Sequence, residues 1–238
     1  MNLVQKAVDA VDMASKRVEK STGYKLPYRL KRSMPKPNPL EGFALGLVGA
    51  NLGLLAMTLY QDYAAKPIFD ASPEADKDPS GSLDSISAVG KQHKEGESST
   101  AAVGRMVHER ITGEEPKTDD AAKAMSYAVH WGFGMLMGGL YGALRSGKGS
   151  ASDLGVGLAY GTGLWALGDE LAVPILGLQE GPTKSPKTMH ANRLVSHLLY
   201  GAGLAVGTQA ITYIWKNARS GDFDNFWNFD EIGVEEVG

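Results

Sequence analysis

The chain has 238 residues, no cysteine, and 27 acidic against 24 basic residues, for a formal charge of −3. Without cysteine there are no disulfides and no thiolate metal sites. A mean hydropathy of −0.19 suits a soluble protein only until the charges are located: they crowd into 1–41, 62–123 and 216–238 and leave the stretches between nearly uncharged.

Residues 1–41 form the first unit. Leu3, Val4, Ala7, Val8, Val11, Ala14 and Val18 recur at three- and four-residue spacings, with Lys6, Asp9, Asp12, Lys16 and Arg17 around the rest of the turn. This is the period of an amphipathic helix, suited to packing on a neighbour or lying on a membrane surface. Its scattered charges argue against a cleaved signal peptide. A basic, proline-bearing linker follows, with Lys25, Arg29, Lys31, Arg32 and Lys36 before Pro39.

Residues 42–215 read as a four-helix transmembrane domain. Gly42 to Tyr60 is free of charge and about 28 Å long as a helix, enough for a bilayer core. The second span runs from Ala124 to Leu144 and holds His130; the third, Leu154 to Leu178, holds Asp169 and Glu170; the fourth, Leu194 to Trp215, holds His197. Glycines recur four apart in every span: Gly42 with Gly46 and Gly49 with Gly53, then Gly134, Gly138 and Gly142, then Gly157 with Gly161, then Gly203 with Gly207. Interior glycine weakens a helix in water, whereas in lipid it lets helix backbones approach closely.

The connection 62–121 is long and acidic, with 13 Asp/Glu against 7 Lys/Arg. Nine Lys/Arg precede the first span, and Arg145 and Lys148 lie between the second and third. The excess of positive charge on the cytoplasmic side then places both termini inside and 62–121 outside. Lys184, Lys187 and Arg193, in the outer loop before the fourth span, oppose this topology; Lys216 and Arg219 favour it. Within the connection, 71–100 lacks the large apolar groups to order itself alone and reads as a mobile loop. Residues 100–112 carry Ala101, Val103, Met106, Val107 and Ile111, the makings of a short helix at the outer face. The tail, 216–238, mixes acids with Phe223, Phe226, Trp227 and Phe229, which suit the lipid headgroups or another subunit.

An ionisable group in hydrocarbon needs a partner, a watery cavity or a ligand. Counting inward at 1.5 Å per residue, His130, Glu170 and His197 fall about 9, 12 and 5 Å below the outer surface, so His130, Asp169, Glu170 and His197 form one candidate polar cluster. Such a cluster serves interhelical hydrogen bonding, metal or haem ligation through His130 and His197, or a proton or ion pathway. The ligand pairs three or four apart that mark di-iron bundles are absent. So are the phosphate loop, the G-x-S-x-G elbow and the H-E-x-x-H helix, and no catalytic residue is assigned.

His130-x-x-Phe133-Gly134, Tyr141-Gly142, Trp165 through Pro174-x-x-Gly177-Leu178, and His197-Leu-Leu-Tyr200-Gly201 together resemble the YagU-like family of bacterial inner-membrane proteins, over about 90 residues of spans two to four. The resemblance implies a four-helix integral membrane protein of unestablished activity. Some members of that family carry a histidine before the Pro-x-x-Gly-Leu turn, where this chain has Asp169 and Glu170, a departure that weakens an all-histidine ligand role. The expectation is therefore an all-α, four-span inner-membrane bundle with an N-terminal amphipathic helix and a long polar outer loop. Its expected role is that of a structural or accessory subunit of a membrane complex, with a small transporter, channel or metal- or haem-binding protein as the alternative and an enzyme third. Lipid and a second copy or a membrane-complex subunit are the expected partners; nucleic acid is not.

Overall fold

A computed structural model describes residues 36–65, 85–146 and 153–220, with Met13, Arg17, Lys20, Ser21 and Leu83. Those first four are helical; the rest of the amphipathic segment, most of the basic linker, residues 71–82 and the tail from Gly221 lie outside the described residues. All regular structure among the described residues is helical.

Helix α1 (Pro39–Leu59) starts where local chemistry dictates. The Asn38 side chain accepts from the Glu41 amide at 2.9 Å while the Glu41 carboxylate accepts from the Asn38 amide at 2.8 Å, a reciprocal capping box, and Pro39 takes the first position, where no amide is needed. The helix leaves through a widened π-helical turn, Tyr60–Ala65. Helix α2 (Ser99–Thr112) is capped by Ser98 and stopped by Gly113 at φ +81°. Helix α3 (Asp119–Arg145) begins on the Thr118 cap with Asp119 and Asp120 in its first turn and ends on Arg145, charges that complement its dipole. Helix α4 (Asp153–Leu164) runs into a widened stretch, Trp165–Ala172, and a short helix α5 (Val173–Ile175). Helix α6 (Lys187–Ser220) has 34 residues, about 50 Å of helix.

The long helices lie side by side in the order α3, α1, α6, α4, each antiparallel to its neighbour, and glycine sets their spacing. A Cβ on Gly46 would strike the Gly138 carbonyl, and one on Gly142 the Gly42 carbonyl. Gly138 itself faces Ala50, and Gly134 faces Leu54. The α1–α6 seam has Gly49 on Thr208, Gly203 on Gly53 and Gly207 on the Gly49 carbonyl; the α4–α6 seam has Gly157 on the Gly201 carbonyl and Gly161 on the His197 carbonyl. Backbones this close gain dispersion and Cα–H···O contacts worth about 0.5–1 kcal/mol each. Helices α3 and α4, at the two ends of the row, meet through side chains instead. Tyr160 donates to the Met137 carbonyl at 2.7 Å, and the Tyr141 and Tyr160 rings sit 5.3 Å apart. Tyr200, from α6, donates to the Gly134 carbonyl at 2.6 Å in the centre of the core, beside Leu54 and Leu204.

The seams are thus lined by small residues and tyrosines around Leu54 and Leu204, while many other large apolar side chains point outward. Val48, Leu52, Leu55 and Leu59 on α1, Phe133, Leu136, Leu140 and Leu144 on α3, and Val206 and Ile214 on α6 are all exposed. Two of the described helices, α1 with its widened turn and α6, are long and apolar enough to cross a membrane; four such crossings are not established. At one end of the bundle Arg219 meets Glu41 at 2.5 Å and stacks on Trp215, and Arg145 pairs with Asp153.

The opposite end carries a cap, and here the reading of 71–100 as a mobile loop needs correction for its described part, 85–98. The carbonyls that end α5 have no helical partners, so they take amides from the connection: Ala88 donates to Ile175 at 2.9 Å and Gln92 to Gly177 at 2.8 Å. Gly177 has φ +67°, and a Cβ there would strike the Gly90 carbonyl. His93 bonds the Gly177 carbonyl at 2.8 Å and lies 3.3 Å from Glu180, which Lys91 also holds. Arg105 of α2 clamps Glu97 at 2.9 and 3.0 Å and bonds the Gln92 carbonyl. The segment is ordered by a partner that its own composition does not reveal.

Candidate functional site

The widened stretch Trp165–Ala172 positions both carboxylates. Val173 donates to Gly168, five residues back, so the turn holds one residue more than an α-turn. The Asp169 carbonyl would next look to residue 174, but Pro174 has no amide. The Gln179 side chain fills the gap by donating to the Asp169 carbonyl, tying the turn that follows α5 to the base of the site.

Asp169 Oδ2 lies 3.8 Å from His197 Nδ1. That Nδ1 is 2.9 Å from the Arg193 carbonyl one turn back, so it carries the proton and donates, leaving Nε2 as the ring's basic atom. His130 of α3 is within electrostatic reach of both His197 and Asp169, and its Nε2 is buried with no hydrogen-bond partner among the described residues. The indole nitrogen of Trp165, four residues before Asp169, is buried in the same unpartnered way. Arg193 and Glu170 complete the charges around Asp169.

Glu170 faces elsewhere. Its carboxylate is 2.7 Å from His190 Nδ1, and His190 Nε2 is 3.0 Å from the Pro182 carbonyl. Depth alone puts Glu170 in one layer with His130 and His197; the structure brings Asp169 to His197, with His130 close by, and gives Glu170 to His190. Successive residues on a helix point about 100° apart, so two adjacent carboxylates do not face the same neighbour.

Sequence reasoning missed His190, Arg193 and Gln179. The start of α6 at Lys187, seven residues before the expected Leu194, explains the first two. A signal was present: His190, Arg193 and His197 are spaced by three and four, and the same stripe continues to Tyr200 and Leu204. Among the described residues no group of three or more His, Asp or Glu is arranged to hold a metal ion. No family model matches the chain, and neither a curated protein nor a solved structure does.

Proposed function

We propose that this chain is a multi-pass inner-membrane protein whose four long helices all cross the bilayer, with both termini cytoplasmic, and that it serves as a structural or accessory subunit of a membrane complex. One observation carries the reading: the helix seams pack glycine, alanine and tyrosine around Leu54 and Leu204, while many large apolar side chains, leucine, valine and phenylalanine among them, face outward. In water that surface would be a large aggregation hazard; in lipid it is the expected one. The Glu41–Arg219 contact puts the start of α1 and the end of α6 at the same end, as an even number of crossings requires. The basic flanks favour the cytoplasm for that end, and the inner membrane follows from the resemblance to the YagU-like proteins.

Cysteines introduced singly at Ser80 and Ser220 test the topology. An impermeant thiol reagent on intact cells should label the first and spare the second; equal labelling overturns the topology. Cross-linking in native membranes should shift the chain to the mass of an assembly, and a protomer-sized product alone overturns the subunit role.

A further inference from the structure

We propose that the outward face of α6 around Gln209 is a docking surface, within the membrane, for a second copy of this chain. The inference rests on the membrane reading and names the partner that reading leaves open. Among the described residues of the four apolar stretches, every exposed side chain is apolar, small or aromatic except that of Gln209. Gln209 has no hydrogen-bond partner among the described residues.

Its depth makes that isolation costly. Thr208 packs on Gly49, the midpoint of α1, so Gln209 lies within about 2 Å of that level along the helix. The headgroups are then about 15 Å away, half the thickness of the hydrocarbon core, and a glutamine side chain does not reach them. The other carboxamide in the four stretches, Asn51, donates to the Val48 and Leu47 carbonyls of its own helix at 2.9 and 3.3 Å. Thr162 likewise donates to the Leu158 carbonyl at 2.9 Å. An amide turned to hydrocarbon without such a bond has given up water and gained nothing in return.

Lipid tails cannot supply the missing bonds, whereas a second copy can. A carboxamide is donor and acceptor at once, so it is complementary to itself. Two chains inserted in the same direction, related by a twofold axis along the membrane normal, present residue 209 at the same depth. Each amide N–H then donates to the carbonyl oxygen of the other. The surrounding surface has the spacing for this contact. Ala202, Val206, Gln209 and Tyr213 follow one another at four, three and four residues, the alternation of a helix–helix seam. Val206 and Tyr213 are exposed, Ala202 and Ala210 are small enough to let two backbones approach, and no charge falls between Ala202 and Tyr213 to set like against like.

The chain has no cysteine of its own, so single cysteines test the surface cleanly. Val206→Cys and Tyr213→Cys, oxidised in native membranes after a carbonate wash, should cross-link to twice the chain's 25.3 kDa. Leu136→Cys and Leu140→Cys, on the outer face of α3 and separated from α6 by α1, should stay at protomer mass. Cross-linking from both faces alike, or from neither, overturns the proposal. In proteoliposomes, association read by energy transfer on dilution with lipid should weaken by roughly 3- to 20-fold in Gln209→Leu. It should be largely kept in Gln209→Asn, whose amide is still complementary to itself; unchanged association in Gln209→Leu overturns the proposal as well. A chain released by the carbonate wash overturns the membrane reading and this inference with it. A chain held in the membrane that cross-links only to a partner of another mass overturns this inference alone.

Discussion

Glu97 and Arg105 show how single residues hold the cap to the bundle. The hydrogen bond from Arg105 holds the Glu97 carboxyl below its ordinary range, helped by the Lys94 amide and charge against the opposing effect of burial. A group whose value is lowered on folding stabilises the fold fully above its unfolded value and loses that contribution as pH falls through the folded one. Protection of the Gln92 amide, which donates to Gly177, should therefore be flat through neutrality and fall in acid below the ordinary carboxylate value of 4.5. Glu97→Gln should reduce it several-fold at neutral pH and blunt the acid response, as read by hydrogen exchange. None of this was legible in the sequence, where Glu97 is one acid among many in a polar stretch. The Glu97–Arg105 pair is local, but the bond it supports joins Gln92 to Gly177, a partner remote in the sequence.

At the scale of elements, helix existence was legible and helix starts were not. The uncharged stretches mark the middles of α1, α3 and α6, but α3 begins at Asp119 and α6 at Lys187, because capping residues and first-turn charges extend a helix beyond its apolar core. The wide turn in the third stretch was hidden for another reason: it is enforced by Pro174 together with a distant amide, Gln179. The glycine seams yield a comparison within α3. A Cβ on Gly138 would strike Ala50, whereas nothing lies within 4 Å of one on Gly132. Gly138→Leu should lower stability by about 1–3 kcal/mol or more, and Gly132→Leu should leave it nearly unchanged, as measured by thermal unfolding in nanodiscs. Similar losses from the two would count against the α1–α3 seam as what governs these positions, since leucine has the higher helix propensity and by itself predicts no loss at either.

Among the described residues many large apolar side chains face outward even though Leu54 and Leu204 fill the core, and that outward face distinguishes lipid from water as the solvent. Leu136 is exposed on the outer face of α3. In water Leu136→Lys should change stability by no more than about 0.5 kcal/mol. Facing hydrocarbon near the middle of a crossing, it should cost about 2.5–3.5 kcal/mol on insertion scales, detectable as loss of membrane-integrated protein. Normal integration and stability would count against α3 as a crossing helix. The sequence displayed the glycine seams in part, as glycine recurring inside apolar stretches, but the order α3, α1, α6, α4 came from which seams close, and spacing alone does not reveal that. An extra residue in a helical turn is a phase change: everything beyond it is turned by about 100° and advanced by about 1.5 Å. In the widened stretch that phase decides which of two adjacent carboxylates confronts His197 and which is left for His190, so the chain's choice between Asp169 and Glu170 is a matter of bearing more than of chemistry.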